Sequence, residues 1–282
     1  MALSGEAVSA FIIAELGVNH DGLFSHAQLL VHAAHAAGAD AVKVQTYSPE
    51  LLDPPGPRRD MLKRLMLSRE AHFELKEYAE KLGLEFLSTP FDVPSLRFLV
   101  DELKVKTLKI ASGNLDNEPL LEAAAESGCR LIISTGGVGM RDILRVADKI
   151  RGACWLHCVS AYPVPRDRIG LLALSNMRRS FHYDAPEHEV GFSDHTTSLL
   201  IPALAVAMGA TIIEKHLTLD RNADGPDHKA SLEPEQFRIM VDNIREAELA
   251  MGDGVKRPQA CEAAAMAVMA ERKAWREQLP TS

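Results

Sequence analysis

Eight times along this chain a short apolar run is followed by a longer stretch with helical spacing, and no shift in composition breaks the rhythm. The short runs are Phe11–Ala14, Ala41–Gln45, Glu85–Ser88, Thr107–Ile110, Leu131–Ser134, Trp155–His157, Val190–Phe192 and Thr211–Lys215, and they predict strands. The stretches after them predict helices over Ser25–Ala37, Ser68–Lys81, Val93–Glu102, Glu118–Ser127, Gly139–Arg151, Gly170–Arg178, Thr197–Met208 and Pro234–Met251. Ser25 and Ser68 are candidate N-caps, and Gly38, Gly83, Gly128, Gly209 and Gly252 follow helix ends as stop signals. Strands that alternate with helices imply a parallel sheet, and eight such units in about 250 residues favour a closed (β/α)8 TIM barrel over an open sheet. No GxGxxG follows the first strand, which argues against a Rossmann domain. The expected organisation is a single α/β barrel over residues 1–255 and a basic, Ala-rich helical tail over 256–282. Two Pro-rich segments, Asp53–Arg59 and Tyr162–Arg168, read as loops after the second and sixth strands.

Composition narrows the function classes. At 282 residues with 46% hydrophobic and 25% charged residues, the chain is neither disordered nor collagen-like, and its core needs no disulfides. The net charge of −8 makes a nucleic-acid partner a poor expectation. No apolar stretch reaches about 18 residues, so no membrane partner is expected. The N-terminus MALSGEAVSAFIIAE lacks a basic segment before its apolar run, and none of the four cysteines forms a CxxC pair. These features predict a reduced, cytoplasmic protein without a signal peptide.

In barrels of this class, chemistry gathers at the C-terminal ends of the strands. Read in order, those ends carry Glu15 with Asn19 and His20, then Lys43 and Gln45, then Ser88-Thr89-Pro90, then Lys109 with Ser112, Gly113 and Asn114. The later ends carry Ser134-Thr135-Gly136-Gly137, His157-Cys158 with Ser160 and Tyr162, Ser193-Asp194-His195, and Glu214-Lys215-His216 followed by Gly225-Pro226-Asp227-His228. Each has a plainer reading alone: a strand lysine can lie along a surface, and Ser or Thr at a strand end can cap a helix. Their joint placement predicts an active site.

The charges suggest its ligands. Lys43 and Lys109 sit in apolar strands, so their ammonium groups should project into the barrel mouth, where Thr89, Ser112, Ser134 and the Gly136 amide add donors. Such a set suits a phosphate and carboxylate ligand, although a buried ion pair with Glu15 would also explain a strand lysine. His195 and His216 end adjacent strands and could meet as metal ligands with help from Glu15 or Asp227, or as two neutral hydrogen-bonded rings. His157 reads as a packed strand residue, and His26, His32, His35, His72, His182 and His188 are assigned no role.

A set of motifs then stands out: AELGVNHDG (14–22), AGADAVKVQTY (37–47), FLSTPF (86–91), LKIASGNLDNEPLL (108–121), IISTGG (132–137), LHCVSAYP (156–163), GFSDHT (191–196), EKHLTLD (214–220) and GPDHKASLEP (225–234). In this order, over nearly all of residues 11–255, the chain resembles the sialic acid synthase family, which includes N-acetylneuraminate synthases and spore-coat polysaccharide E-like proteins. The resemblance implies condensation of phosphoenolpyruvate with an aldose or N-acyl amino sugar to a 3-deoxy-2-keto sugar acid and phosphate. It implies His195 and His216 as ligands of a divalent metal, Mn²⁺ first and Mg²⁺ or Co²⁺ next, and Glu15 as the acid–base group. It assigns Lys43, Thr89, Lys109, Ser112, Ser134 and Ser193 to phosphoenolpyruvate, and Gln45, Tyr162 and Asp227 to the sugar. The substrates are small molecules, and a homodimer or higher homo-oligomer is expected.

The sequence departs from that family in three places. The resemblance covers the barrel only: the family usually continues into a C-terminal antifreeze-like domain, whereas this sequence ends at Ser282. Asn114 replaces an acidic residue after SG, and Ser160 stands where an asparagine faces phosphoenolpyruvate, as in the spore-coat branch. Two other readings fit the same residues. Lys43 or Lys109 could be the Schiff-base lysine of an aldolase, or the chain could be a non-catalytic partner of a full-length synthase.

Overall fold

The computed structural model describes residues 9–279. Eight parallel strands form a closed barrel in sequence order: β1 (Phe11–Gly17), β2 (Ala41–Thr46), β3 (Glu85–Pro90), β4 (Thr107–Ile110), β5 (Arg130–Ser134), β6 (Cys154–Cys158), β7 (Glu189–Asp194) and β8 (Ile212–His216). β8 pairs with β1, with Phe11 opposite Ile212 and Glu15 opposite His216. The (β/α)8 expectation is met, and most strands run one or two residues past their predicted ends because the polar residues there continue the ladder.

Around the barrel run α1 (Phe24–Ala36), α2 (Pro49–Leu52), α3 (Pro57–Leu65), α4 (Arg69–Lys81), α5 (Val93–Arg97), α6 (Glu118–Glu126), α7 (Met140–Ala147), α8 (Leu172–Asp184), α9 (Ile201–Ala207) and α10 (Pro234–Met251). Ser68 caps α4 as expected, its hydroxyl accepting from the Ala71 amide at 3.1 Å. Ser25 does not cap α1: the helix begins one residue earlier, after Leu23, and has no side-chain cap. The Asp53–Arg59 loop is shorter than expected. Pro57 starts α3, where a proline's missing N–H leaves no helical bond unmade. The helix expected from Thr197 starts only at Ile201, because the Thr196 and Ser198 hydroxyls accept amides of the turn before it.

Two apolar layers hold this frame. Between barrel and helices lies the large core, with Trp155, Phe98, Phe181, Phe192 and Phe237 among its fully buried side chains. Inside the barrel Ile13, Ala41, Leu87, Ile132, Cys154, Leu156 and Ile212 form a plug. Each fully buried aliphatic side chain contributes about 1.5–3 kcal/mol. The plug fixes the phase of every strand. Successive side chains alternate between faces, so the residue two positions beyond each plug residue also points inward. Those positions are Glu15, Lys43, Thr89, Ser134, Cys158 and Glu214. A dry floor therefore carries a polar layer directly above it.

The chain divides into two compact units, and among the described residues these comprise 9–250 and 251–279. In the second, α11 (Ala263–Glu277) follows a short turn at Ala260–Glu262, and every described residue from 251 to 279 is exposed.

Candidate active site

One open cavity of about 630 Å³ at the C-terminal ends of the strands is lined by every site residue named from sequence: Glu15, Lys43, Gln45, Thr89, Lys109, Ser112, Ser134, Ser160, Tyr162, Ser193, His195, His216 and Asp227. Phe91, Ala111, Gly113, Cys158 and Glu214 complete the wall.

The charged layer is built around two lysines. The Lys43 ammonium lies 2.5 Å from Glu15 Oε2 and donates to Thr89 Oγ1 at 2.9 Å. Lys109 Nζ donates to Ser134 Oγ at 2.7 Å and to the Ile110 carbonyl at 3.0 Å. Between them stands Glu214, which the sequence reading did not assign to the site. Its Oε1 accepts from Ser193 at 3.0 Å, and its Oε2 accepts no hydrogen bond while lying 3.8 Å from Lys43 Nζ and 4.0 Å from Lys109 Nζ. The signal that would have found it is the inward phase of β8, which Ile212 sets. The neighbouring Lys215 points the other way, into a buried ion pair with Asp194.

Burial sets the charge states of this layer. Burial pushes the Glu15 carboxyl up to about 7, against the attraction of Lys43. Burial also pushes Glu214 up, but Lys109 and Lys43 outweigh it and hold the group below its ordinary value. Lys43 suffers the same burial, yet Glu15 and Glu214 raise it, so it stays protonated. For Lys109 burial wins and lowers the ammonium, with Glu214 opposing. Asp227 is pushed by burial up to about 6.

At the ends of β7 and β8, beside this layer, the His195 and His216 rings lie with centroids 5.5 Å apart. Burial lowers both, so both are neutral imidazoles at neutral pH. His195 Nδ1 is 2.8 Å from the Val159 carbonyl, which sets that nitrogen as the donor and leaves Nε2 with its lone pair. His216 Nδ1 is buried without a hydrogen-bond partner, 3.7 Å from Asp227 Oδ2. Among the described residues no group of three or more His, Cys, Asp or Glu side chains gathers in ligand arrangement. The donor set that fits a metal is thus two neutral imidazoles with a carboxylate nearby, and water or substrate would fill the other positions. Tyr162 covers both rings, stacked on His195 at 4.1 Å and edge-on to His216 at 5.7 Å.

A glycine makes this convergence fit. Gly17 occupies a bulge where the β1–β2 register shifts, with φ +52°. A Cβ there would lie 2.9 Å from Asp227 Oδ2, 3.2 Å from Glu15 Oε1 and 3.5 Å from Gln45 Nε2. Other strand-end residues do structural work. Asn19 bonds to the Leu217 carbonyl and to Ser231, and the Gly136 amide donates to Ser112 Oγ at 2.8 Å. His157 packs on Phe192 and reaches the Ile169 carbonyl, as expected of a structural histidine.

Fold and site together define a (β/α)8-barrel enzyme whose mouth combines buried cations, carboxylates and neutral imidazoles. Comparison with known proteins gives the family: the chain belongs to the NeuB family, whose profile matches residues 30–256, and is a sialic acid synthase-like enzyme. It is 40% identical over 278 residues to the N,N'-diacetyllegionaminic acid synthase of Legionella pneumophila, covering 90% of this chain and 76% of that one. It is 33% identical over 272 residues to the N-acetylneuraminate-9-phosphate synthase of Homo sapiens, with 90% and 74% covered. The crystal structure of N-acetylneuraminic acid synthetase from Leptospira borgpetersenii, in complex with citrate, superposes with a TM-score of 0.85 at 34% identity, covering 99% of this chain and 96% of that one. Among the described residues no helix is long and apolar enough to cross a membrane.

Proposed function

We propose that this enzyme condenses phosphoenolpyruvate with the aldehyde of an open-chain aldose or N-acyl amino sugar. A bond forms between C3 of phosphoenolpyruvate and the aldehyde carbon, whose oxygen takes a proton. Water adds at C2, the C2–O bond to phosphate breaks, and a 3-deoxy-2-keto sugar acid and inorganic phosphate leave. The observation that carries this reading is the opening of two buried lysines, tied to one shared Glu214, into the same cavity as two unprotonated imidazoles.

Each part of the wall has a task in that reaction. Lys43 and Lys109, with Thr89, Ser112, Ser134 and Ser193, would hold the phosphate and carboxylate through charge-assisted hydrogen bonds. Glu214 stands between the two ammonium groups and offsets their mutual repulsion. Glu15, with its carboxyl near 7, can take a proton from the attacking water and return it to the product oxygen. Gln45, Tyr162 and Asp227 would face the sugar, and Ser160, beside Gly136 and Ser112, would face phosphoenolpyruvate. His195 and His216 would hold a divalent metal, Mn²⁺ or in its place Mg²⁺ or Co²⁺, whose chemistry when bound is Lewis-acid polarisation of the aldehyde oxygen. The names of the relatives as legionaminic, pseudaminic and N-acetylneuraminate-type synthases support a nonulosonic acid as product.

The test is phosphate release from phosphoenolpyruvate by Mn²⁺-loaded protein with a panel of aldoses and N-acyl amino sugars. Release that requires one sugar and yields its three-carbon-extended keto acid supports the proposal. Release without any sugar, or borohydride trapping of pyruvate on Lys43 or Lys109, overturns it in favour of hydrolysis or of Schiff-base chemistry.

A further inference from the structure

The barrel keeps a second ion pair that never touches the cavity. Asp194 ends β7 and Lys215 lies opposite it in β8, both with no exposed surface. Lys215 Nζ donates to Asp194 Oδ2 at 2.6 Å and to the Thr196 carbonyl. Asp194 also accepts from the Thr196 amide at 2.9 Å and from the Thr196 hydroxyl at 3.1 Å. A fully buried pair is poorly explained by stability, because apolar side chains of similar volume serve a core as well or better. Its place in the chain is more informative. Asp194 directly precedes His195, Thr196 directly follows it, and Lys215 directly precedes His216. The pair therefore grips the backbone on both sides of one imidazole and ties it to the residue next to the one that carries the other.

We infer that the Asp194–Lys215 pair, closed over Thr196, is a positioning device that sets the spacing and aim of His195 and His216 as metal ligands. The inference rests on the metal reading above. The layers behind the two rings divide the work. The Val159 carbonyl fixes the rotation of the His195 ring, while the ion pair fixes where its backbone stands relative to β8. Outer partners of this kind hold first ligands in productive geometry, and their loss weakens metal binding without touching a ligand. The anion-binding lysines are held chiefly by other strands, through Thr89 on β3 and Ser134 on β5, and only Ser193 and Glu214 of that site adjoin the pair, so phosphoenolpyruvate should feel the change far less than the metal.

The experiment measures two affinities on the intact chain by calorimetry: Mn²⁺ alone, and phosphoenolpyruvate alone in metal-free buffer. The principal variant is Asp194→Leu/Lys215→Met, which removes both charges together, so neither is left buried and unpaired, and frees the Thr196 amide and carbonyl from the pair. We expect it to melt cooperatively, to bind Mn²⁺ roughly 10–100-fold more weakly, and to bind phosphoenolpyruvate within about twofold of the parent. Asp194→Asn, which keeps the shape and the acceptor oxygen, decides the matter if the double variant does not fold. Unchanged Mn²⁺ affinity, or an equal loss of both affinities, overturns the inference, since a merely structural pair would loosen the whole mouth. His216→Ala is the control. If the parent binds Mn²⁺ no better than His216→Ala, the metal reading itself fails. If the control loses Mn²⁺ and the pair variants do not, only the positioning role fails.

Discussion

The Glu15 carboxylate and the Lys43 ammonium meet at 2.5 Å in a layer of the barrel where both are almost wholly buried. The pair is not a simple stabilising bridge, because burial pushes Glu15 up to about 7 even with the cation beside it. A carboxyl in that range can exchange its proton during turnover at neutral pH. Glu15→Gln should lower kcat by about 10²–10⁴-fold. In the parent enzyme kcat should rise as pH passes about 7, where Glu15 ionises, and the variant should lose that limb. The pH profile of phosphate release checks this. A limb that persists in Glu15→Gln and disappears in Asp227→Asn, whose carboxyl is raised to about 6, would move the role to Asp227.

The same raised carboxyl leaves a mark on stability. The folded state holds the Glu15 proton more tightly than the unfolded chain, where the group has its ordinary value of 4.5. Its contribution is therefore fully present below 4.5 and is lost as pH rises through about 7. Glu15→Gln has no proton to lose at that position. Its melting temperature relative to the parent should become more favourable on going from about pH 5 to about pH 8. Melting curves at the two values decide it, and a difference that stays constant would show that Glu15 titrates at its ordinary value.

Much of this site was legible in the chain because charge inside an apolar strand has few destinations. Glu15, Lys43 and Lys109 stand out in FIIAE, AVKVQ and TLKI for that reason. Glu214 and Lys215 did not separate so easily. Adjacent opposite charges look like one exposed pair until the strand's phase is known, and that phase comes from Ile212 in the plug, a tertiary fact. One then faces the cavity and the other faces Asp194. The fold was clear wherever a glycine or a cap closed a helix, as at Ser68 and Gly83. It was unclear at α3, since DPPGPRR has the composition of a loop, and only packing of Leu62 and Leu65 against Val18 and Tyr47 makes its second half a helix.

Lys109 tests the anion site. Its ammonium is held by Ser134 and the Ile110 carbonyl and faces Glu214. Lys109→Met removes a counter-charge and leaves Glu214 less compensated, so phosphoenolpyruvate binding should weaken by about 2 kcal/mol or more. Calorimetry without sugar measures it directly. Unchanged affinity would remove Lys109 from the anion site.

His216→Ala separates chemistry from folding. Among the described residues the His216 ring makes no hydrogen bond, so its deletion orphans no partner. The variant should keep a cooperative melt close to the parent's and lose condensation. Activity that survives in chelator-treated His216→Ala would end the metal assignment.

Gly17 and Gly83 share a backbone conformation that side chains avoid, with φ of +52° and +80°, yet differ in what surrounds them. Alanine at either position should cost about 1–2 kcal/mol of stability from the backbone alone. Around Gly83 there is nothing within 4 Å, so Gly83→Ala should be a stability variant with normal kinetics. At Gly17 the new methyl would press on Asp227 Oδ2 at 2.9 Å and Glu15 Oε1 at 3.2 Å. Those carboxylates must shift, and a displacement of even about 1 Å at a reacting group can lower the rate by about 10²-fold. Gly17→Ala should therefore lose kcat/KM well beyond what its stability loss explains, and Gly83→Ala should not. Urea unfolding and steady-state kinetics on the two variants provide the comparison. Equal kinetic losses would mean that the convergence of Glu15, Gln45 and Asp227 on the Gly17 bulge has no part in turnover.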